Sequence, residues 1–141
     1  MARPYQGGTS IAVETVTASQ TLGDADHGKK FLVGTDDLVI TLPATKAGLE
    51  YSFHNIGATA NNIITISPAE DDKIYGHVVT TVAVQADANV SAGNIAVLDG
   101  ADDKDVINTK ATATKGDWIS ICGDGGDGWL VTGGVGIWAK E

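Results

Sequence analysis

The stretch that decides the fold runs from Leu38 to Pro68 and reads LVITLPATKAGLEYSFHNIGATANNIITISP. Three short runs within it, 38–42, 49–54 and 62–66, alternate two sets of side chains with the period of two that is typical of β-strands. Pro43 and Pro68 follow the first and last runs, and each removes a backbone donor. The connections are short and rich in residues that tolerate tight bends, so the sequence predicts an antiparallel meander of three strands.

Similar extended segments lie on both sides of this stretch. They cover 10–17 and 30–34 before it, and 73–75, 78–84, 94–98, 118–122, 129–132 and 135–139 after it. Gly133 and Gly134 separate the last two segments, and 106–114 alternates too weakly to assign. No apolar spacing of three and four persists over more than about two helical turns. We therefore predict an all-β fold: a single-domain antiparallel β-sandwich or flattened barrel of about ten short strands.

The domain organisation follows from length and from the composition of the N-terminus. The 141 residues are enough for one domain with a real core. Residues 1–9 contain Pro4 and two glycines and show no periodicity, so we predict a flexible N-terminal arm at 1–9 and a β domain at 10–141. Two interpretations of the arm stay open. It is either a frayed end or a segment that becomes ordered on a partner, with Arg3, Pro4 and Tyr5 as anchors.

Charge limits the kinds of partner. The chain has 18 acidic and 9 basic side chains, a formal net charge of −9. This charge argues against binding to nucleic acid or to an anionic membrane surface and favours a neutral or basic partner. The single cysteine, Cys122, excludes an internal disulfide. No stretch approaches the length of a membrane span or forms an apolar leader, so we expect synthesis in a cytosol.

Residues that could support chemistry are scattered. His27, His54 and His77 form no recognisable metal-ligand pair. The segment 123–128, Gly-Asp-Gly-Gly-Asp-Gly, offers oxygen donors but lacks the spacing of a calcium loop, and it fits a tight hairpin turn better. Cys122 has no histidine nearby in sequence. We therefore expect no catalytic residue, no metal and no cofactor, and we expect that the protein is not an enzyme.

Three tryptophans lie close to the C-terminus: Trp118, Trp129 and Trp138. Large aromatic side chains at strand positions usually bury, so one interpretation places all three in the core of the last strands. If they are exposed instead, they could stack on sugar rings or anchor a protein interface. Trp129 and Trp138 are the candidate interface aromatics in that second interpretation.

A set of segments spread along the chain resembles a known group of proteins. The segments are Leu22-Gly-Asp-Ala-Asp-His-Gly-Lys-Lys-Phe, Ile40-Thr-Leu-Pro-Ala, Gly48-Leu-Glu-Tyr-Ser-Phe, Asn62-Ile-Ile-Thr-Ile, Asp72-Lys-Ile-Tyr-Gly, Gly116-Asp-Trp-Ile-Ser, Gly128-Trp-Leu-Val-Thr-Gly and Gly136-Ile-Trp. Together they are similar to small virion proteins of tailed bacteriophages over about residues 20–138. Within that group the chain most resembles a head decoration, or cement, protein.

The resemblance implies a function and a location. Decoration proteins are β-rich, commonly trimeric, and bind the outer capsid at local three-fold positions, where they clamp neighbouring major capsid subunits. The implied partners are the major capsid protein and further copies of the chain. The implied location is the outer surface of the virion, after synthesis in the cytoplasm of a bacterial host.

In such proteins an arm at one end of the chain often makes the contacts with the capsid. The resemblance therefore implies capsid contacts by Arg3, Pro4 and Tyr5. The alternative is a carbohydrate-binding or structural module of a phage tail fibre or spike. In that case the tryptophans would be the platforms on which sugar rings stack.

Overall fold

A computed structural model describes residues 11–58, 62–80, 94–100, 105–108 and 112–140. Their regular structure consists of β-strands and one short 3-10 helix, Asp24–Asp26. The strands are β1 Val13–Val16, β2 Gln20–Thr21, β3 Lys30–Val33, β4 Leu38–Thr41, β5 Glu50–Asn55, β6 Ile64–Ser67, β7 Lys73–Thr80, β8 Asn94–Asp99, β9 Val106–Asn108, β10 Trp118–Gly123, β11 Gly128–Val135 and β12 Trp138–Lys140.

The strands form two sheets. The seven-stranded sheet has the order β1-β3-β5-β10-β11-β7-β8, and the five-stranded sheet has the order β12-β9-β6-β4-β2. Successive strands from β1 to β7 alternate between the sheets. As a result β1, β3 and β5 pair in parallel in one sheet, and β2, β4 and β6 pair in parallel in the other. The first half of the chain is therefore a flattened coil that passes from sheet to sheet.

The prediction of an all-β sandwich is confirmed, with both sheets mixed in strand direction. The meander predicted for Leu38–Pro68 is wrong in its pairing, because β4 pairs with β6 and β5 lies in the opposite sheet. Eight residues separate β4 from β5, and eight separate β5 from β6. Such connections are long enough to cross the roughly 10 Å between packed sheets, whereas a tight hairpin uses about two residues.

The core lies between the sheets and is built from the inward-facing residues of both. Phe31 and Phe53, neighbours on β3 and β5, stack with ring centroids 5.5 Å apart. Tyr51 lies 5.4 Å from Trp129 in the same layer, and its hydroxyl donates a hydrogen bond of 2.9 Å to the carbonyl of Gly23. The indole N–H of Trp129 is buried without a hydrogen-bond partner in the described part of the chain. These aromatic side chains fill the centre of the sandwich with apolar contacts.

A buried polar cluster links the two sheets at one end of the sandwich. Asn55 on β5 donates a 2.8 Å hydrogen bond to Asn108 on β9, and Asn108 donates one of 3.0 Å to Asp117 just before β10. Asn62 donates to the carbonyl of Val33 at 3.0 Å. Burying an amide costs free energy unless it is hydrogen-bonded. Because moving the surrounding loops apart would break these bonds, the cluster holds the loops in fixed relative positions.

The Gly-rich segment 123–128 is the hairpin connection between β10 and β11, as predicted. The Asp124 carboxylate accepts hydrogen bonds from the backbone N–H groups of Gly126 and Gly128, at 2.7 and 3.0 Å, and from the Tyr75 hydroxyl. The bond from Tyr75, followed by those from the two glycines, lowers the pKa of Asp124 to about 2. The same bond is the main reason that the pKa of Tyr75 rises to about 12.

Strand β11 differs from the sequence prediction, since it continues through Gly133 and Gly134 instead of ending before them. A side chain at Gly133 would meet the Trp118 indole, because a Cβ there would lie 3.0 Å from Trp118 Cη2. A register shift between Ser120 and Ile121 accommodates one extra residue of β11. At Gly134 a Cβ would lie 3.1 Å from the Trp118 carbonyl oxygen, so both glycines occupy closely packed positions within the strand and do not break it.

Gly128 has no room for a side chain, because a Cβ would lie 2.1 Å from the carbonyl oxygen of Lys73. We expect Gly128→Ala to lower the free energy of unfolding by about 3 kcal/mol, since the backbone of two paired strands must move apart. Urea denaturation measures this change. Gly126→Ala is the matched control, because the nearest atom to its Cβ is 3.8 Å away. Equal stability of the two variants would contradict the close approach of β7 and β11.

Candidate functional site

The outer face of the seven-stranded sheet carries a group of polar and aromatic side chains that could contact a ligand or a partner. Along β3 and β10 buried residues alternate with half-buried ones, so Lys30, Trp118 and Ser120 point away from the other sheet. Their register partners on β5, Ser52 and His54, share that face, although Ser52 itself is buried. The inward-facing residues on the same strands belong to the core. We refer to this surface as the outer face.

One transverse row of residues crosses all seven strands of the outer face. Each member is the register partner of the next on the neighbouring strand. From β1 to β8 the row consists of Thr15, Leu32, His54, Trp118, Val135, Val79 and Ile95. In its middle the His54 and Trp118 rings stack, with centroids 6.1 Å apart and planes inclined by 14°. The row is mostly apolar, which is unusual for a sheet face that other described elements do not cover.

The row ends in an apolar patch formed by Val79, Ile95 and Val97. Their side chains are 50%, 62% and 59% exposed. Val79 and Ile95 are direct cross-strand neighbours, and Val97 lies two residues further along β8 on the same face. Isolated exposed aliphatic residues are ordinary, but adjacent ones on a flat sheet mark contact surfaces.

A hydrogen-bonded chain of polar side chains lies beside the middle of the row. Ser120 Oγ donates to Ser52 Oγ at 2.8 Å, and Ser52 Oγ lies 2.9 Å from His54 Nε2. Burial lowers the pKa of His54, and the positive charge of Lys30 lowers it further. The imidazole is therefore neutral at pH 7, and its Nε2 can accept the Ser52 hydrogen.

Next to this chain the outer face contains a pocket of about 370 Å³. Its lining includes Lys30, Glu50, Ser52 and Ser120, and Ile11 forms an apolar part of the wall. The lining also contains Gly28, Lys29 and Tyr51. The pocket and the apolar patch therefore occupy opposite halves of one sheet face.

The Lys29 side chain is fixed by two carboxylates at the pocket wall. Its Nζ donates hydrogen bonds to Asp26 Oδ1 at 2.6 Å and to Glu14 Oε2 at 2.9 Å. The bond to Asp26, followed by the bond to Glu14, raises the pKa of Lys29. In turn, the hydrogen bond from Lys29 is the main reason that the pKa values of Asp26 and Glu14 are lowered. All three groups are charged at neutral pH, so the charge of Lys29 is already offset.

The structure places two of the three tryptophans in the core. Trp129 and Trp138 are 0% and 2% exposed, so neither can act as a surface platform in this fold. This corrects their assignment as candidate interface aromatics and agrees with the interpretation that they are core residues. Trp118 alone of the three faces outward, and its ring is half-buried against His54.

The other candidate residues do not meet at one place. His27 is on the turn before β3, where its Nδ1 accepts a 3.1 Å hydrogen bond from the Glu50 N–H, and His77 is exposed on β7. Cys122 is a half-buried free thiol on β10. Within the described ranges no group of three or more His, Cys, Asp or Glu side chains is arranged to hold a metal ion.

The anchor residues predicted in the arm, Arg3, Pro4 and Tyr5, lie outside the described residues. A helix long and apolar enough to cross a membrane does not occur in the described part of the chain.

Comparisons with known proteins give no family assignment. No protein-family model matches the chain, and a search of curated proteins finds no relative of significant sequence similarity. The outer face therefore has to be interpreted from its own geometry.

The sequence contained a partial signal for this surface. The β-branched run that includes Val78 and Val79 predicts a strand, but its alternation cannot tell which of two apolar sets faces solvent. The pocket could not be predicted, because Lys30, Glu50 and Ser120 come from three strands whose pairing is not local in sequence.

We expect Trp129→Ala and Trp138→Ala to lower the free energy of unfolding by about 3–5 kcal/mol each, because each change leaves a large cavity in the core. Thermal or urea unfolding measures the loss. Trp118→Ala is the matched control and should cost clearly less, since its indole is half-buried on the outer face. Native-like stability of the two core variants would contradict the placement of these tryptophans.

Proposed function

We propose that the chain is a head decoration protein of a tailed bacteriophage, which binds the outer surface of the assembled capsid and stabilises contacts between major capsid subunits. The observation that carries the proposal is the apolar patch of Val79, Ile95 and Val97 on the outer face. Such a surface supports a role performed through contact with other protein surfaces. The resemblance of the sequence to phage virion proteins supplies the class of partner.

The patch is suited to contact between copies of the chain. A trimer needs a heterologous interface, in which two different surfaces of neighbouring copies meet and the ring closes. The opposite edge of the same sheet, at β1, carries a second pair of exposed aliphatic residues, Ile11 and Val13, which are 59% and 57% exposed. Contact between the apolar patch of one copy and this pair on the next would bury both surfaces in a closed homotrimer.

Attachment to the capsid is assigned to the N-terminal arm, with Arg3, Pro4 and Tyr5 as its anchors. Binding to the assembled lattice, but not to free capsid subunits, stabilises the lattice by mass action. The net charge of −9 favours a neutral or basic capsid surface. On this proposal the protein is made in the bacterial cytoplasm and ends on the outside of the virion.

The apolar patch can be tested without disturbing the strands. Replacing Val79, Ile95 and Val97 together by threonine keeps β-branched side chains but makes the surface polar. We expect the triple variant to stay folded and to become monomeric in light-scattering mass measurements, and its occupancy on decoration-free capsids should fall at least tenfold. Val39→Thr, a matched change on the outer side of the five-stranded sheet, should have neither effect.

An unchanged oligomer and unchanged occupancy in the triple variant would contradict the role of the patch. Failure of the wild-type protein to bind capsids at all, as seen by electron microscopy of the mixture, would contradict the proposed function itself.

Deletion of residues 1–9 tests the arm separately. We expect the shortened protein to keep the thermal stability of the β domain, because the core of the described part of the chain is built from Val16 onward. Its affinity for decoration-free capsids should fall, and a binding titration on purified particles measures the change. Equal affinity of the full and shortened chains would contradict the arm as the capsid grip.

A further inference from the structure

We propose that the pocket on the outer face, lined by Lys30, Glu50, Ser52 and Ser120, is a binding site for a small neutral saccharide. The site lies on the half of the sheet remote from the apolar patch, and its Ile11 wall also belongs to the exposed pair assigned above to trimer contact. Its volume of about 370 Å³ is near the lower end of the roughly 300–1,000 Å³ typical of small-molecule sites.

The charges of the pocket favour a ligand without net charge. Lys30 and Glu50 both neighbour Ser52 in the pocket lining: Lys30 is its register partner on β3, and Glu50 precedes it by two residues on the same face of β5. Neither charged group has an ion-pair partner among the described residues. The nearby Lys29 is already paired with Glu14 and Asp26. The two unpaired charges cancel, so a charged ligand would gain from one and be repelled by the other.

The pattern of donors and acceptors matches vicinal hydroxyl groups. An ammonium only donates hydrogen bonds and a carboxylate only accepts them, whereas a sugar hydroxyl does both. Adjacent hydroxyls can therefore satisfy Lys30 and Glu50 at the same time, through charge-assisted bonds.

The serines are held in position before a ligand arrives. The chain from Ser120 to Ser52 to the neutral His54 orients both hydroxyls and leaves lone pairs of Ser120 Oγ available to the pocket. Preorganisation of this kind reduces the ordering cost of binding. Ile11 supplies an apolar wall, against which the C–H face of a sugar ring can pack.

The experiment is a titration of the full chain with individual methyl glycosides of glucose, galactose and mannose and with N-acetylglucosamine, followed by two-dimensional 15N NMR. At least one of the four probes should give saturable shifts in the amide signals of Ser52 and Ser120 and no shifts in those of Val79 and Val97. Glu50→Gln and Lys30→Met should each weaken that binding about tenfold, because each removes a charge-assisted hydrogen bond. Lys73→Met, on exposed β7, is the matched control and should bind as the wild type does.

Three results would overturn the proposal. They are the absence of saturable shifts with all four probes, unchanged affinity in both pocket variants, and binding of a zwitterionic amino acid such as glycine with no binding of any saccharide. Thermal unfolding of each variant checks that the fold is retained, and these substitutions are on the surface of the sheet. Glu50→Gln and Lys30→Met leave Ile11, Val13 and the apolar patch unchanged, so these variants should lose saccharide binding and keep capsid attachment, and the two proposals fail separately.

Discussion

The constraint on which the structure depends is the repeated crossing of the chain between two sheets. Each strand from β1 to β6 has its sequence neighbours in the opposite sheet. Within their sheets β1, β3 and β5 pair in parallel, as do β2, β4 and β6, while β5 and β6 also pair with the later strands β10 and β9. Each strand therefore buries one face against the other sheet and leaves its second face outside. This path supplies β1, β3 and β5 to the outer face of the seven-stranded sheet, and β10, β11, β7 and β8 complete that face.

The two halves of the outer face differ because their strands contribute different chemistry at equivalent positions. On β3, β5 and β10 the outward positions hold Lys30, Ser52 and Ser120, which can form hydrogen bonds with a ligand. On β7 and β8 the outward positions include Val79 and Ile95. Apolar side chains of this kind contribute favourable free energy only when another surface covers them and removes them from water. A single sheet thus presents a polar pocket on one half of its outer face and an apolar patch on the other.

Alternation along the sequence predicted most of the strands, because the period of two is a local property of the backbone, but it missed β2 and left 106–114, which contains β9, unassigned. It located β3, β4, β5, β8 and β10 to within a few residues, whereas it divided the single strand β7 into 73–75 and 78–84, and 81–84 lie outside the described residues. It could not predict that β4 pairs with β6 or that β7 pairs with β11, since pairing depends on contacts between distant segments. For the same reason the sequence could not predict the buried polar cluster, which consists of Asn55, Asn62, Asn108 and Asp117. The burial of Trp129 and Trp138 could not be predicted from residue type alone, because an aromatic residue suits both a core and a binding surface.

The position of β11 has a consequence for how the protein is made. This strand lies between β10 and β7 and is the parallel partner of a strand more than fifty residues earlier in the chain. The centre of the seven-stranded sheet therefore cannot form on the ribosome until Gly128–Val135 has emerged, and closing such a long loop makes folding slow. During that delay the unpaired strands are open to aggregation, and mutual repulsion among chains of net charge −9 is the protection that the sequence provides.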